Sequence, residues 1–190
     1  MHQNINMEVD IKKYAEALQI GKTLLYPADT IWGLGCDATN QKAVNALFTL
    51  KKRPLEKPLI ALVDSVEMLS EYVENLPENI EELLQSDQPT TLVYPQGKGL
   101  ANGVISQNGS IAIRIPKPCF ALDLISAFGK PLVSTSANIS GAPIPTQYSE
   151  IDSRILEHVD EVVPLEKEKI ASIPSRVLLL LPNGSVKQLR

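Results

Sequence analysis

The sequence predicts a mixed α/β fold, with parallel and antiparallel strands in one sheet flanked by helices. Three observations carry that expectation. Helix-period segments and short β-prone runs interleave along all 190 residues, they lack the strict βαβ alternation of a doubly wound fold, and 44% hydrophobic residues suffice for a substantial core. One domain over residues 1–190 is expected, because the sequence shows no internal repeat, low-complexity tract or linker-like stretch.

From Met7 to Ile20, the apolar residues Val9, Ile11, Tyr14, Ala15 and Leu18 recur at helical spacing, and Gly21 follows as a stop. Thr23 to Tyr26 reads as a buried strand closed by Pro27, delivering YPADTIWGLG to the sheet edge as a functional loop. Ala43 to Leu50 predicts a second helix that Pro54 cannot extend, which puts Lys51 and Arg53 at a helix end. Leu59 to Val63 reads as a strand, and Val66 to Val73 and Glu78 to Leu84 as acidic helical stretches. Strands are expected at Thr91–Tyr94 and Ser110–Ile115, then a helix from Cys119 to Phe128 closed by Gly129. Pro131 to Ser134 enters the loop SANISGAPIPT, and the tail offers strands at Arg176–Leu180 and Ser185–Leu189.

Composition excludes several function classes. No apolar run approaches the roughly 20 residues that cross a bilayer, and the N-terminus lacks a signal-peptide pattern, so a cytoplasmic protein with no membrane partner is expected. Cys36 and Cys119 stand far apart without a Cys-x-x-Cys or Cys/His cluster, which argues against a zinc site or a disulfide framework and for reduced thiols. A net charge of −4 counts against coating nucleic acid by bulk electrostatics. Gly21-Lys22-Thr23 imitates the end of a P-loop, but Glu16 occupies the position of its first glycine and the segment precedes a strand.

Three segments carry chemistry. KKRPLEKP, Lys51 to Pro58, concentrates cations on a proline-stiffened loop in an otherwise acidic chain. A guanidinium fork beside ammonium groups suits triphosphate oxygens and stabilises charge as pyrophosphate leaves. Ser134-Thr135-Ser136-Ala137-Asn138 packs hydroxyls, an amide and backbone donors into one loop; this is either a turn-rich connection or a neutral cradle for anionic oxygens. Arg114 stands between apolar neighbours in SIAIRI, where it is either paired structurally or meets an anionic group at a strand end.

In their order and spacing, YPADTIWGLG, LKKRPLEKPLIALV, SIAIRI and GKPLVSTSANISG resemble the YrdC/TsaC family of threonylcarbamoyl-AMP synthases, over roughly Leu24 to Thr146 and more weakly beyond. The pair Lys51-x-Arg53 and Ser136-x-Asn138 is that family's signature. The resemblance implies a three-layer fold around a twisted mixed sheet with a concave, positive cavity. It also implies the reaction of L-threonine, bicarbonate and ATP to threonylcarbamoyl-AMP and pyrophosphate. The product would pass to a tRNA threonylcarbamoyl transferase that modifies the adenosine next to the anticodon, and Mg2+ is expected to accompany ATP without an evident protein-held metal site.

Carried over by position, Thr30, Arg114, Ser136 and Ser175 would contact threonine. Arg53, Lys57, Ser110, Asn138, Thr146 and Arg190 would contact the nucleotide, and Lys51 with Arg53 would supply charge near the phosphates. Such chemistry needs positioning, exclusion of water and charge neutralisation rather than a covalent nucleophile, consistent with only two histidines, His2 and His158. Trp32 departs from the family's tyrosine, Asp87-Gln88-Pro89-Thr90-Thr91 from its W-P-G-P-[LV]-T element, and Ser175-Arg176-Val177-Leu178-Leu179 from its S-T-V-V-D. The alternative at this stage is a non-enzymatic protein of the same fold that binds double-stranded RNA or tRNA, against which the net charge counts.

Overall fold

The computed structural model describes residues 9–84, 86–168, 170, 174–181 and 183–189. Helix α1 (Ile11–Gln19) starts at Asp10, whose carboxylate accepts the Lys12 N–H. A hairpin of β1 (Leu24–Pro27) and β2 (Trp32–Gly35) follows, then α2 (Gln41–Lys51), capped by the Asn40 side chain. Strand β3 (Ile60–Leu62), helices α3 (Val66–Tyr72) and α4 (Ile80–Leu84), and strands β4 (Thr90–Tyr94) and β5 (Ile111–Arg114) come next. Helix α5 (Phe120–Phe128) ends at Gly129, whose φ of 73° is one that glycine adopts without strain. The chain continues through β6 (Leu132–Ser136), a 3₁₀ turn at Tyr148–Glu150, α6 (Ser153–His158), β7 (Glu161–Val162), β8 (Arg176–Leu180) and β9 (Val186–Gln188).

The strands form one sheet in the order β7-β1-β2-β6-β3-β5-β4-β8-β9, with β1–β7, β3–β5 and β4–β8 parallel and the other pairs antiparallel. The expected mixed sheet is therefore present, between two helical layers. Because side chains alternate across a strand, the register sorts them by face. Leu34, Ala61, Leu92, Ile113, Val133 and Leu178 point to a core covered by α2, α3, α4 and α6. Leu24, Tyr26, Leu62 and Leu132 point to the opposite face, against Tyr14 and Leu18 of α1 and Leu124 and Ile125 of α5.

The structure corrects two readings of the sequence. YPADTIWGLG is not a loop at the sheet edge: Trp32–Gly35 is itself a strand, and β1 and β2 lie inside the sheet, since β7 covers the outer side of β1. Asp160 secures that cover by accepting the Thr23 N–H and hydroxyl at 2.8 and 2.7 Å. Gly33 and Gly35 make room for the Tyr26 ring, and a Cβ on Gly35 would stand 2.3 Å from the Val133 carbonyl. Ser134 to Ser136 also belong to strand β6 rather than to a loop, because Gly33 and Ile60 pair with Ser136 and Ser134 on its two sides.

Met7 and Glu8, assigned to the first helix from sequence, lie outside the described residues. Two of the departures, at Asp87–Thr91 and Ser175–Leu179, meet in space. Strand β8 lies parallel to β4 with Arg176 opposite Thr90, and the Arg176 Nε–H donates to the Thr90 hydroxyl at 2.8 Å.

Candidate functional site

Helices α1 and α5 cover only part of their face of the sheet. Gly33, Ser136, Ser134, Ile60, Leu62 and Arg114 share that face by register, and they floor a cavity of about 190 Å³ where the helical cover is absent. Thr30 and Ile31 from the β1–β2 turn, Arg53, Pro58, Ile144 and Ser175 complete its walls. Five sequence candidates, Thr30, Arg53, Arg114, Ser136 and Ser175, thus converge on one pocket.

Lys51 does not line it. Its side chain is 1% exposed, and the ammonium donates to the backbone carbonyls of Ser136 and Asn138 (2.7 Å to the latter) and to Asn138 Oδ1 at 3.4 Å. The Lys51 carbonyl in turn accepts the Ser140 N–H at 2.8 Å. Ser136 Oγ–H donates to Asn138 Oδ1 at 2.6 Å, and Asn138 Nδ2 donates to the Ala142 carbonyl at 2.6 Å. Lysine and S-x-N are therefore one clamp, which fixes residues 136–142 against the end of α2. Burial, reinforced by the Arg53 charge, pulls the Lys51 ammonium down to about 7, against three oxygens that favour its protonated form.

Immediately after Lys51 the chain reverses at Lys52, whose φ is 49°, and Arg53 turns toward the pocket. Its Nε and Nη2 donate to the carbonyls of Lys57 and Pro58 at 2.8 and 3.0 Å, which folds the KKRPLEKP loop around the guanidinium. Burial lowers the Arg53 pKa, yet a guanidinium remains charged at neutral pH. Lys57 contributes its carbonyl to this turn and does not line the pocket.

On the opposite wall, Arg114 Nη1 reaches both oxygens of Asp29 at 2.7 and 2.6 Å, with side chains only 5% and 6% exposed. The lone arginine of SIAIRI thus has a structural partner and also lines the cavity. Ser175, on the same side, shares a 2.9 Å hydrogen bond with Thr91.

The remaining candidates lie apart. Ser110 lines a neighbouring cavity of about 350 Å³ with Leu55, Glu56 and Asn108, and Pro58 is common to both cavities. Thr146 is exposed, and its N–H and hydroxyl donate to Glu150 at 2.8 and 3.0 Å. Asn138 belongs to the clamp, and Arg190 lies outside the described residues. Trp32 packs against Tyr148 with ring centroids 5.1 Å apart, and Lys167 Nζ stands 4.5 Å from the Tyr148 ring centre.

Asp29 is a residue of the site that the sequence reading passed over, and Ser134, read there only as part of the hydroxyl-rich segment, lines the pocket. The signal for Asp29 was available: an arginine buried among apolar neighbours needs a carboxylate, and Asp29 is the acidic residue of YPADTIWGLG. Cys36 and Cys119 are both free. Among the described residues, no three or more His, Cys, Asp or Glu side chains gather as metal ligands, and no helix is long and apolar enough to cross a membrane.

The mixed sheet and a small pocket lined by two arginines and several hydroxyls define an α/β protein whose pocket chemistry matches that of anionic or zwitterionic groups. The chain belongs to the Sua5/YciO/YrdC family, whose model, described as "Telomere recombination", matches residues 16–190. It is 32% identical over 168 residues to the threonylcarbamoyl-AMP synthase of Stenotrophomonas maltophilia, covering 86% of this chain and 90% of that protein. The enzyme of the same name from Pseudoalteromonas translucida is 37% identical over 143 residues, covering 73% of this chain and 76% of that one. The crystal structure of P. abyssi Sua5 complexed with L-threonine superposes with a TM-score of 0.83 at 28% identity. It matches 95% of this chain, which spans only 53% of that Sua5 chain.

Proposed function

We propose that this protein is an L-threonylcarbamoyladenylate synthase, a nucleotidyltransferase that joins L-threonine, bicarbonate and ATP into threonylcarbamoyl-AMP with release of pyrophosphate. The observation that carries this reading is the convergence of Thr30, Arg53, Arg114, Ser136 and Ser175 on a cavity of about 190 Å³ that borders the larger one holding Ser110. The smaller cavity suits an amino acid and is too small for a nucleotide, since pockets for larger ligands span roughly 300–1,000 Å³. The names of the related synthases and the threonine-bound Sua5 structure support the same substrate.

In this reading the deprotonated threonine amine attacks the carbon of bicarbonate, water is lost, and a carbamate forms. A carbamate oxygen then attacks the α-phosphorus of ATP, and the bond to the pyrophosphate oxygen breaks. Arg114, Thr30, Ser136 and Ser175 hold the amino acid, while Arg53 offsets charge on the phosphates. Lys51 acts through the 136–142 clamp, whose carbonyls hold its ammonium. Lys57, Ser110, Asn138, Thr146 and Arg190 are proposed for the nucleotide side. Mg2+ is proposed to arrive with ATP, where it would offset charge on the triphosphate beside Arg53. A cytoplasmic setting, with a tRNA-modifying transferase consuming the product, fits this chemistry.

The test is incubation of the purified protein with ATP, threonine and bicarbonate. Mass spectrometry should show threonylcarbamoyl-AMP and stoichiometric pyrophosphate; finding neither, alongside an active synthase as control, would falsify the reading.

A further inference from the structure

We infer that Asp29 is the positioning residue of the amino-acid subsite, holding the Arg114 guanidinium and the adjoining Thr30 in register with each other; the inference rests on the proposed reading of that pocket. Asp29 lies in the β1–β2 turn and Arg114 at the end of β5, and β6 and β3 separate these elements in the sheet. The carboxylate spans that gap: both of its oxygens meet Arg114 Nη1 at 2.6–2.7 Å, and Oδ2 also accepts the Lys117 N–H at 3.1 Å. A turn at one place in the sheet is thereby tied to a strand end across two intervening strands, and the two sides of the pocket are set at a fixed distance. The neighbouring residue, Thr30, lines the same pocket.

The electrostatics point the same way. An arginine 5% exposed with no carboxylate beside it would bear the desolvation cost of a buried charge, and its long side chain would have several rotamers in which to seek water. Asp29 removes both problems by committing Nη1 inside the protein and so fixing the plane of the guanidinium. The pair is neutral overall, so a ligand carboxylate is selected by hydrogen-bond direction rather than drawn in by net positive charge. Asp29 itself does not line the cavity, and its action on the ligand runs through Arg114.

The experiment compares wild type, Asp29→Asn, Asp29→Ala, Arg114→Ala and the double variant Asp29→Ala/Arg114→Ala, by threonine titration calorimetry and by separate KM values for threonine and ATP. Asp29→Asn keeps the volume and an acceptor for the Lys117 N–H while removing the charge. Both Asp29 variants should raise KM for threonine at least tenfold with KM for ATP changed less than twofold, and the double variant should be no worse than Arg114→Ala alone. Equal rises in both KM values, additive effects, or loss of the folded state even in Asp29→Asn would overturn the positioning role. Wild type that binds threonine alongside unaltered Asp29 variants would sink this inference alone; wild type that binds no threonine would sink the proposed function with it.

Discussion

The two halves of the candidate site are satisfied in opposite ways. Among the residues proposed for threonine, two are paired with residues far away in the chain, Arg114 with Asp29, 85 positions apart, and Ser175 with Thr91, 84 apart, while Ser136 bonds to Asn138 two residues on. The residues proposed for the nucleotide bond locally: Arg53, which lines the same small cavity, to Lys57 four residues on, Ser110 in the larger cavity to Asn108 two back, and Thr146 to Glu150 four on. Long-range pairs fix geometry before a ligand arrives, so the amino-acid half is preorganised. Local bonds on loops exchange at small cost, so in the proposed reading the nucleotide side would re-aim its donors when phosphates enter.

Lys51 is where the halves meet, and its removal should break the contrast with the largest effect. Lys51→Met removes the ammonium from the part-buried carbonyls of Asn138 and of Ser136, which keeps only the Asn138 N–H, an expected loss of about 3 kcal/mol and a Tm lowered by about 6–12 °C in calorimetry. The lysine also gives stability a sign with pH. Its folded pKa, about 7, lies below the roughly 10.4 of an unfolded lysine, so between these values the unfolded chain binds the extra proton. Stability from this group therefore rises with pH across that window and is lowest below it. Urea unfolding midpoints should show a rise that disappears in Lys51→Met, and an unchanged slope would mean that the three acceptors keep Lys51 protonated.

A smaller effect should sharpen the contrast from the other half. Arg53→Ala should lower kcat/KM at least tenfold, about 1.4 kcal/mol, while threonine affinity measured without ATP stays within about threefold. Unchanged kinetics would remove Arg53 from the phosphates. Least of all should follow from Ser110→Ala and Thr146→Ala. Each gives up one hydroxyl on a locally bonded loop, and KM for ATP should rise by about two- to fivefold, under about 1 kcal/mol. A hundredfold rise in either would show that the nucleotide half is as rigid as the other.

The sequence made the elements legible wherever one local rule dominates. α5 closes at Gly129, and α2 ends before Pro54 with Lys51 on its last turn, as the residues foretell. Misplaced segments are those in which a distant partner decides. Trp32–Gly35 reads as a glycine-rich loop until β6 is laid beside it and Tyr26 fills the space above the glycines. Ser134–Ser136 reads as loop for its hydroxyls, although strands pair with it on both sides. In the site, the sequence named five residues that line one pocket, Thr30, Arg53, Arg114, Ser136 and Ser175, but not how Lys51 and Arg53 differ in placement. That Lys51 serves the S-x-N loop while Arg53, two residues on, faces the pocket follows from the chain reversal at Lys52, which no spacing rule encodes.

The contact between Trp32 and Tyr148 has a practical side. Trp32 is the chain's single tryptophan, two residues from Thr30, and the ring against it belongs to the turn that follows Thr146. The protein therefore carries one tryptophan fluorophore, on the sheet face opposite the pocket and packed on the turn that follows Thr146. Its emission will report movement of the 146–150 turn through Tyr148, so in the proposed reading, where Thr146 meets the nucleotide, ATP can be titrated without attaching a label.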